Sequence, residues 1–342
     1  MDNTANIDWT SLGFGYVPTD YNVRVSYKDG KWGEIEVTKS DSINIHMAAT
    51  CLHYGQEIFE GLKAFRGKDG KIRIFRLEEN AKRIRRSAEG IMMEPLPVEL
   101  FKEMVIKVVR LNERFIPPYG SGASLYIRPI ELGMTAQVGV KPATEYLFMI
   151  FVTPVGAYFK EGFRPAKIAI YRGYDRAAPL GTGRWKVGGN YAASLAAGQK
   201  AKEGGYAAVL YLDPKEKKYI DECGPANFFA VRDNTYITPK SDSILPSITN
   251  MSLQQIALDM GLKVEARPVP VEELATVEEA AECGTAAVAA PILQVDDIDT
   301  GVKYVISKNG EPGPVTTELY NRLRGIQLGD LEDTHNWVTV LD

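Results

Sequence analysis

Apolar and polar residues alternate along positions 22–38 and again along 62–75, which is the pattern of strands that bury one face. A Lys-Asp-Gly-Lys run interrupts each stretch, at 28–31 and at 68–71. An Asp-Gly pair accepts the positive φ angles that a tight hairpin turn requires. The two stretches are therefore predicted to form β-hairpins.

The hydrophobic period then lengthens to that of a helix. Residues 77–92 are amphipathic, and 98–115 repeat apolar side chains on one face until Pro117 and Pro118 end the run. Alternation returns in two later segments, which are predicted to be strands at 123–130 and 146–153.

Proline and glycine mark a boundary in the middle of the chain, at 154–156 and at 162–165. We predict a domain over 1–155, a linker over 156–164 and a larger domain over 165–342.

The second half mixes short strands with helices. A helix is predicted at 191–203, with Asn190 as its N-cap and Gly204 at its end. The other predicted elements are strands at 166–172, 206–212, 218–222, 226–232, 235–238 and 263–268, helices at 249–261 and after Gly313, and a buried strand end at 285–293. Because regular βαβ alternation is missing, the predicted fold class is α+β.

Composition argues against several classes of function. The chain has 342 residues, is 45% hydrophobic and carries a net charge of −4, so no basic field favours nucleic acid or an anionic membrane. Three scattered cysteines and three histidines show neither a disulfide framework nor metal-site spacing, which predicts a cytoplasmic location and no metal. No apolar run is long enough to cross a membrane, and no basic, apolar leader opens the chain.

Three side chains offer a specific chemistry. Lys186 lies between Trp185 and Val187, a setting that partly desolvates an amine, although most lysines are simply exposed. Tyr191 follows a glycine pair that lets the backbone approach a ligand. Glu222 ends a predicted strand; the plain interpretation is an exposed turn carboxylate, and the adjacent aspartate competes for any role. An amine, a phenol and a carboxylate in this order suit pyridoxal 5′-phosphate (PLP), because the amine can form a Schiff base and the carboxylate can keep the ring nitrogen protonated.

Two segments are candidate phosphate cradles. Residues 246–249 precede a predicted helix, whose N-terminus offers free N–H groups, and 284–286 read Gly-Thr-Ala. Arg76 at a strand end can pair with phosphate oxygens. Each of these three features also has a plain interpretation: a helix cap for the first segment, a tight turn for the second, and a surface position for the arginine. Residues 181–186 begin like a dinucleotide-binding Gly-x-Gly-x-x-Gly but end on lysine, which argues against a nicotinamide-dependent dehydrogenase.

Taken together, these motifs resemble the branched-chain amino-acid aminotransferases, within the fold-type IV PLP enzymes. The resemblance runs nearly end to end and is specific in the order and spacing of its parts. It is carried by residues 54–61, 75–76, 126–129, 186–191, Glu222 with 227–228, 245–249 and 284–286.

The resemblance implies a function, a fold and a cofactor site. The reaction would be ping-pong transamination of L-leucine, L-isoleucine and L-valine with 2-oxoglutarate, through a PLP–lysine aldimine. The fold would be a small α/β domain and a larger pseudo-barrel domain, in a homodimer or larger homo-oligomer. Lys186 would be catalytic and hold PLP. The remaining cofactor-binding residues would be Tyr191 at the phenolic oxygen, Glu222 at the ring nitrogen, and Arg76, Ile248, Thr249 and Thr285 at the phosphate.

It also implies a substrate pocket for amino acids and 2-oxo acids. Arg128 would bind the side-chain carboxylate of glutamate, and the Thr285 and Ala286 amides with Tyr126 would receive the α-carboxylate. The full predicted set is Tyr54, Phe59, Gly61, Tyr126, Arg128, Tyr158, Thr285 and Ala286.

Three alternatives remain open at this point. A D-amino-acid aminotransferase or an aminodeoxychorismate lyase would keep the same lysine and glutamate, but residues 126–129 and the aromatic pair Phe59 and Tyr158 favour the branched-chain pocket. A metabolite-binding protein without activity would be favoured by loss of Lys186 or Glu222, and the chain has both.

Overall fold

The structure, a computed structural model, describes residues 4–159 and 162–341. These residues form two compact units. The first contains the chain up to Tyr158, the short segment Trp185–Gly188, and the chain from Gly325 onward; the second contains Phe159–Arg184 and Gly189–Arg324. The units differ from the predicted domains because Trp185–Gly188 and the C-terminal segment lie with the first unit. The domain boundaries themselves stay a prediction.

The first unit is built on one antiparallel sheet. Its strands are β1 (Asn22–Lys28), β2 (Lys31–Trp32), β3 (Glu36–Thr38), β4 (Glu57–Phe59), β5 (Leu62–Arg66), β6 (Ile72–Phe75), β7 (Ser124–Gly133), β8 (Tyr146–Val155) and β18 (Val338–Leu341). Among the described residues the strand order is β18-β6-β5-β7-β8-β1-β2, with β3 beside β1 and β4 beside β7.

Both predicted hairpins are confirmed. Strands β1 and β2 meet at a turn in which Asp29 and Gly30 have positive φ, as the Asp-Gly signal required. Strands β5 and β6 pair antiparallel, and Gly70 has the positive φ of the second turn.

The helices are α1 (Thr50–Tyr54), α2 (Leu77–Gly90), α3 (Val98–Leu111), α4 (Gly188–Glu203), α5 (Ile248–Asp259) and α6 (Pro314–Leu328), with 3₁₀ turns at Glu113–Phe115 and Val271–Ala275. The apolar stripe of α3 packs against the first sheet, where Phe101 meets Phe148 of β8 edge to face. Burial of that stripe is what stabilises the helix, since isolated helices of this length are marginal in water.

The second unit contains one larger sheet and a separate pair of strands. The strands are β9 (Ala166–Ile170), β10 (Leu210–Leu212), β11 (Ile220–Cys223), β12 (Asn227–Arg232), β13 (Thr235–Pro239), β14 (Lys263–Arg267), β15 (Glu279–Gly284), β16 (Val288–Asp297) and β17 (Lys303–Val305). The larger sheet has the order β14-β13-β12-β15-β16-β17, with β9 beside β16, and β10 pairs with β11. Helix α5 connects the parallel strands β13 and β14. The mixture of antiparallel hairpins and helices confirms the predicted α+β class.

Some local predictions are wrong. Helix α4 begins at Gly188, so Asn190 is not its N-cap but lies inside its first turn, where its amide bonds Thr182. The buried strand predicted at 285–293 is confirmed from 288 onward, as part of β16, and is wrong only for the turn at 285–287. Strands β4, β15, β17 and β18 were not predicted, because their short runs carry no clear period of two. Within the described residues, no helix is long and apolar enough to cross a membrane.

Candidate active site

In the first unit, Lys186 is held through its backbone on both sides. Its N–H donates to Ser87 Oγ of α2 at 3.0 Å, and its carbonyl accepts from the Phe59 N–H of β4 at 3.1 Å. Two residues on, the Gly188 N–H donates to Glu57 Oε1 at 2.5 Å. The main chain that carries the amine is therefore fixed to two separate elements.

Glu57 was not singled out from the sequence. Burial raises the pKa of its carboxyl, while the Gly188 amide and the charge of Arg128 lower it. Its position at the first N–H of α4 favours negative charge, because helix N-termini carry a partial positive charge. A Cβ on Gly188 would overlap this carboxylate, which explains the glycine at that position.

Aromatic and cationic groups cluster beside Lys186. Its Nζ lies 4.9 Å from the centre of the Phe59 ring, and the Arg128 guanidinium lies 4.8 Å from the same ring. Arg128 Nη2 donates to Tyr126 Oη at 2.9 Å, and a Cβ on Gly61 would overlap that phenol. Arg128 Nε is buried without a hydrogen-bond partner among the described residues. This cluster suits a ligand that has both apolar and anionic parts.

Arg76 shows a similar unfilled donor. It adopts a left-handed conformation between β6 and α2, with φ of 52°, and its guanidinium lies over the Trp337 ring at 5.0 Å. Its Nε is buried without a hydrogen-bond partner in the described part of the chain. Burial lowers the pKa of the guanidinium, and Glu79 and Asp333 partly oppose that shift. A desolvated arginine with an open donor fits an anion such as phosphate.

Tyr54 and Tyr158 are placed differently from the other predicted pocket residues. Both are exposed in the single chain, Tyr54 by 41% and Tyr158 by 47%. The Tyr54 hydroxyl donates to the Val138 carbonyl, and its ring stacks on His53.

In the second unit, Glu222 is buried, with 3% of its surface exposed. The plain interpretation as an exposed turn carboxylate is therefore wrong. Its Oε2 accepts from Asn227 Nδ2 at 2.6 Å, its Oε1 accepts from the Leu245 N–H at 3.1 Å, and Arg176 Nε lies 2.6 Å from Oε1. Burial raises the pKa of Glu222 to about 7, against the lowering effect of Arg176 and the Leu245 amide. A carboxylate so desolvated favours a further cation, such as a protonated ring nitrogen.

The neighbouring Asp221 is also buried, but it bonds elsewhere. Its oxygens accept from the hydroxyls of Ser241 and Ser243. Successive residues of a strand point to opposite faces, and the separate partners of Asp221 and Glu222 agree with that alternation along β11.

Helix α5 begins where the sequence placed a phosphate cradle. Ser247 is the N-cap, and its hydroxyl accepts from the Asn250 N–H at 3.1 Å. Ile248 and Thr249 form the first turn and are buried. The N–H groups of a first turn point away from the helix body, so this end can bind an anion.

Thr285 and Ala286 lie in the tight turn between β15 and β16, half-buried. Tyr191 lies in the first turns of α4, where its carbonyl accepts from Ser194 Oγ at 2.8 Å. Each unit therefore groups its own share of the predicted residues: Lys186, Phe59, Gly61, Tyr126 and Arg128 in the first, and Glu222, Ile248 and Thr249 in the second. Sequence reasoning did not find Glu57, Ser87 or Arg176, because nothing local distinguishes them from ordinary polar residues.

Comparison with known proteins shows which family the chain resembles. The model of the class IV amino-transferase family matches residues 57–295. A branched-chain-amino-acid aminotransferase of Haemophilus influenzae is 47% identical over 344 residues, covering 98% of this chain and 99% of that protein. The crystal structure of a T.th. branched-chain amino acid aminotransferase with pyridoxamine 5′-phosphate has a TM-score of 0.77 at 28% identity, covering 92% of this chain and 97% of that one. The T.th. enzyme complexed with N-(5′-phosphopyridoxyl)-L-glutamate has a TM-score of 0.74 at 27% identity, with the same coverage.

Proposed function

The chain belongs to the branched-chain amino-acid aminotransferases of the class IV aminotransferase family, and on that basis we propose how its own residues carry out the reaction. The enzyme transfers the amino group of L-leucine, L-isoleucine or L-valine to 2-oxoglutarate, giving the branched-chain 2-oxo acid and L-glutamate. PLP, when bound, supplies an aldehyde for the amino group and a protonated ring that accepts electrons from the substrate α-carbon. The observation that best supports these residue roles is that Glu222 is buried and paired with an arginine.

Lys186 is the residue that holds the cofactor covalently and then moves the proton. With PLP bound, its Nζ would be the base that takes a proton from the substrate α-carbon and the acid that returns one. The bond that Lys186 N–H donates to Ser87 and the bond that its carbonyl accepts from Phe59 fix the main chain, so the proposed transfer needs motion of the side chain only. Fixing the base in this way lowers the entropic cost of reaching the reacting carbon.

Glu222 holds the ring nitrogen protonated, and Tyr191 donates its hydroxyl to the cofactor's phenolic oxygen. Support for the first role comes from burial, since a carboxylate that has lost water interacts strongly with a nearby cation. The proximity of Tyr191 to the start of α4 supports a fixed position for its ring.

The phosphate is held by Arg76, by the first turn of α5 at Ile248 and Thr249, and by Thr285. The buried open donor of Arg76 and the first-turn N–H groups of α5 at Ile248 and Thr249, which precede the Asn250 N–H that Ser247 caps, are the donors that phosphate recognition uses.

The substrate pocket accepts two unlike side chains. Phe59 and Tyr126 offer apolar surface for a branched side chain, and each buried methylene is worth about 0.8 kcal/mol. Arg128 pairs with the second carboxylate of glutamate, since a carboxylate buried without a partner is costly. Tyr126 and the Thr285 and Ala286 amides receive the α-carboxylate. Gly61, Tyr54 and Tyr158 are the other residues of the proposed substrate pocket.

The assembly is a homodimer or larger homo-oligomer of this chain. Support comes from a surface of the first unit that combines residues 46–54 and 136–140 and exposes Met47, Leu52, Tyr54, Val138 and Val140. We call it the 46–54/136–140 surface. The Ala49–Ala136 bridge and the Gln137 N–H bond to the Ala48 carbonyl join its two segments. A partner subunit on this surface would cover the exposed Tyr54. The cytoplasmic location is part of the same proposal, and the free thiols of Cys51, Cys223 and Cys283 support it.

The test is the visible absorbance spectrum of the PLP-loaded protein, read after L-leucine and again after 2-oxoglutarate. We expect the cofactor band to fall with L-leucine and to return with 2-oxoglutarate, while D-leucine leaves it unchanged. Lys186→Ala should abolish turnover. The control is Lys200→Ala, which removes a lysine of α4 that packs over the Tyr171 ring and should leave turnover intact. Normal turnover by Lys186→Ala would overturn the assignment.

A further inference from the structure

Arg176 lies in the polar loop between β9 and α4 and is buried, with 5% of its surface exposed. Its Nε is 2.6 Å from Glu222 Oε1, and its Nη2 donates to the Gly183 carbonyl at 2.7 Å and to the Ser243 carbonyl. The Nε contact is an ion pair rather than a directed hydrogen bond, because the N–H does not point at the oxygen. A long, flexible cation is thus anchored at two carbonyls, with its charge against one carboxylate.

Two buried acids lie near this guanidinium, which forms an ion pair with one of them, Glu222. Asp221 and Glu222 are consecutive, and among the described residues Arg176 is the cation paired with Glu222. Asp221 receives its bonds from neutral hydroxyls, and the other donors to Glu222 are the neutral Asn227 and Leu245 amides. Neutral donors stabilise a carboxylate less than a cation does. Removing the charge of Arg176 would therefore leave Glu222 without ionic compensation.

We propose that Arg176 is a positioning residue for the cofactor ring: it keeps Glu222 ionised and in a fixed orientation, so that Glu222 can hold the ring nitrogen protonated. The inference rests on the proposed role of Glu222. Arg176 thereby decides which of two groups carries one proton, the ring nitrogen or the Glu222 carboxylate. With Arg176 the proton stays on the ring nitrogen; without it, the proton moves to Glu222, and the neutral ring is a weaker electron acceptor.

The charges around Glu222 support this role of Arg176. Burial raises the pKa of Glu222, the Arg176 charge lowers it and Asp221 raises it. The other titratable groups facing the pair are Tyr211 of β10, Cys223 of β11 and Cys283 of β15. Burial raises the pKa of each of them, that of Tyr211 to about 12, so they are neutral near pH 7. Arg176 is thus the group whose replacement changes the charge that Glu222 experiences.

The experiment compares Arg176→Gln, which keeps hydrogen-bond donors without charge, with Arg176→Lys, which keeps the charge. The first readout is the nitrogen-15 chemical shift of the ring nitrogen in enzyme loaded with labelled PLP, which reports protonation directly. The second is the pH profile of kcat/KM for L-leucine. Arg172→Gln is the matched control, because Arg172 pairs with Asp297 at 2.7 Å and not with Glu222.

For Arg176→Gln we expect an unprotonated ring nitrogen at pH 7.5, an acidic limb moved upward by at least one pH unit and kcat lowered 10- to 100-fold. Arg176→Lys should restore protonation and most of kcat, and Arg172→Gln should match the wild type. A protonated ring nitrogen with an unmoved limb in Arg176→Gln would overturn the proposal.

Two further variants separate the possible failures. If Glu222→Gln also keeps the ring protonated and retains kcat, the role of Glu222 itself is wrong; if only Glu222→Gln is impaired, the inference about Arg176 alone fails. Should Arg176→Gln not fold, Arg176→Lys decides, since loss of ring protonation in that charged variant contradicts the proposal.

Discussion

At the scale of single residues, Glu131 is a buried acid that the proposed chemistry does not use. It lies on β7 with 1% of its surface exposed, and neither carboxylate oxygen has a hydrogen-bond partner among the described residues. Burial raises the pKa of Glu131 well above its usual value, and the negative charge of Glu94 adds to the shift. The group is therefore a source of instability at neutral pH.

We predict that Glu131→Leu raises the free energy of unfolding by about 1–3 kcal/mol at pH 7, because a buried polar group without partners carries its desolvation penalty uncompensated. Since the pKa of Glu131 is raised in the folded state, its contribution to wild-type stability is greatest below the unfolded pKa near 4.5 and falls as pH rises toward the folded value. The gain of the variant should accordingly shrink below pH 4.5. Urea unfolding at several pH values measures it, with the exposed Glu103→Leu as control; equal, pH-independent effects of both would contradict the prediction.

Arg128 is the residue that we expect to separate the two half-reactions. Arg128→Ala should lower kcat/KM for L-glutamate by 10- to 100-fold and that for L-leucine by only a few fold, because only glutamate brings a second carboxylate to be paired. Single-turnover kinetics with each amino acid measures the two values. Tyr126→Phe, which removes the hydroxyl bonded to Arg128, serves as the comparison. Equal losses for both substrates would reject a selective role.

At the scale of elements, the loop between β9 and α4 is held closely against residues 241–245. A Cβ on Gly183 would overlap the Ser243 carbonyl, and Arg176 bonds the carbonyls of Gly183 and Ser243. By contrast, a Cβ on Gly173, in the same loop, would meet no atom within 4 Å. The glycine at 183 is thus required by close approach, whereas the one at 173 is not.

We predict that Gly183→Ala destabilises the protein by about 1–3 kcal/mol, the usual cost of overpacking. It should also raise the dissociation constant for PLP, since the loop carries Arg176. Gly173→Ala should be neutral or slightly stabilising, because it reduces the entropy of the unfolded chain. Thermal unfolding with and without PLP tests both variants. A wild-type midpoint for Gly183→Ala would show that the loop yields at no cost.

At the scale of the whole molecule, the proposed assembly depends on the 46–54/136–140 surface. Val138 is 79% exposed and Val140 84% exposed, which leaves an apolar patch typical of an interaction site. The patch contains Tyr54, one of the predicted pocket residues, so assembly and substrate binding are expected to be coupled.

Val138→Glu is predicted to shift the protein from an assembly of 37.8 kDa chains toward single chains, because a charge in an apolar interface must be desolvated without a partner. Activity should fall with the loss of assembly. Sedimentation velocity measures the mass, and Leu195→Glu, a change at an exposed leucine on α4, is the control. A Val138→Glu protein that keeps both its mass and its activity would exclude this surface.

Local sequence patterns were sufficient for much of the fold. The Asp-Gly turn at 29–30, the apolar stripe of α3 and the α+β class follow from side-chain periodicity and turn chemistry, which act over a few residues. Residue identity and order likewise indicated Lys186, Glu222 and the start of α5 as candidates before any contact was known. The start of α4 was misplaced because a periodic pattern reports which face is buried, not which group satisfies the first N–H.

The group that satisfies the first N–H of α4 is Glu57, which lies 131 residues away from Gly188 along the chain. The burial of Glu222, its pairing with Arg176 and the unpartnered Glu131 arise in the same way, from elements brought together by packing. Sequence periodicity predicts that a strand or helix has a buried side, since the spacing of apolar side chains along the element sets which face avoids water. The partner of a buried charge depends on the position of every other element, and only the folded chain specifies it.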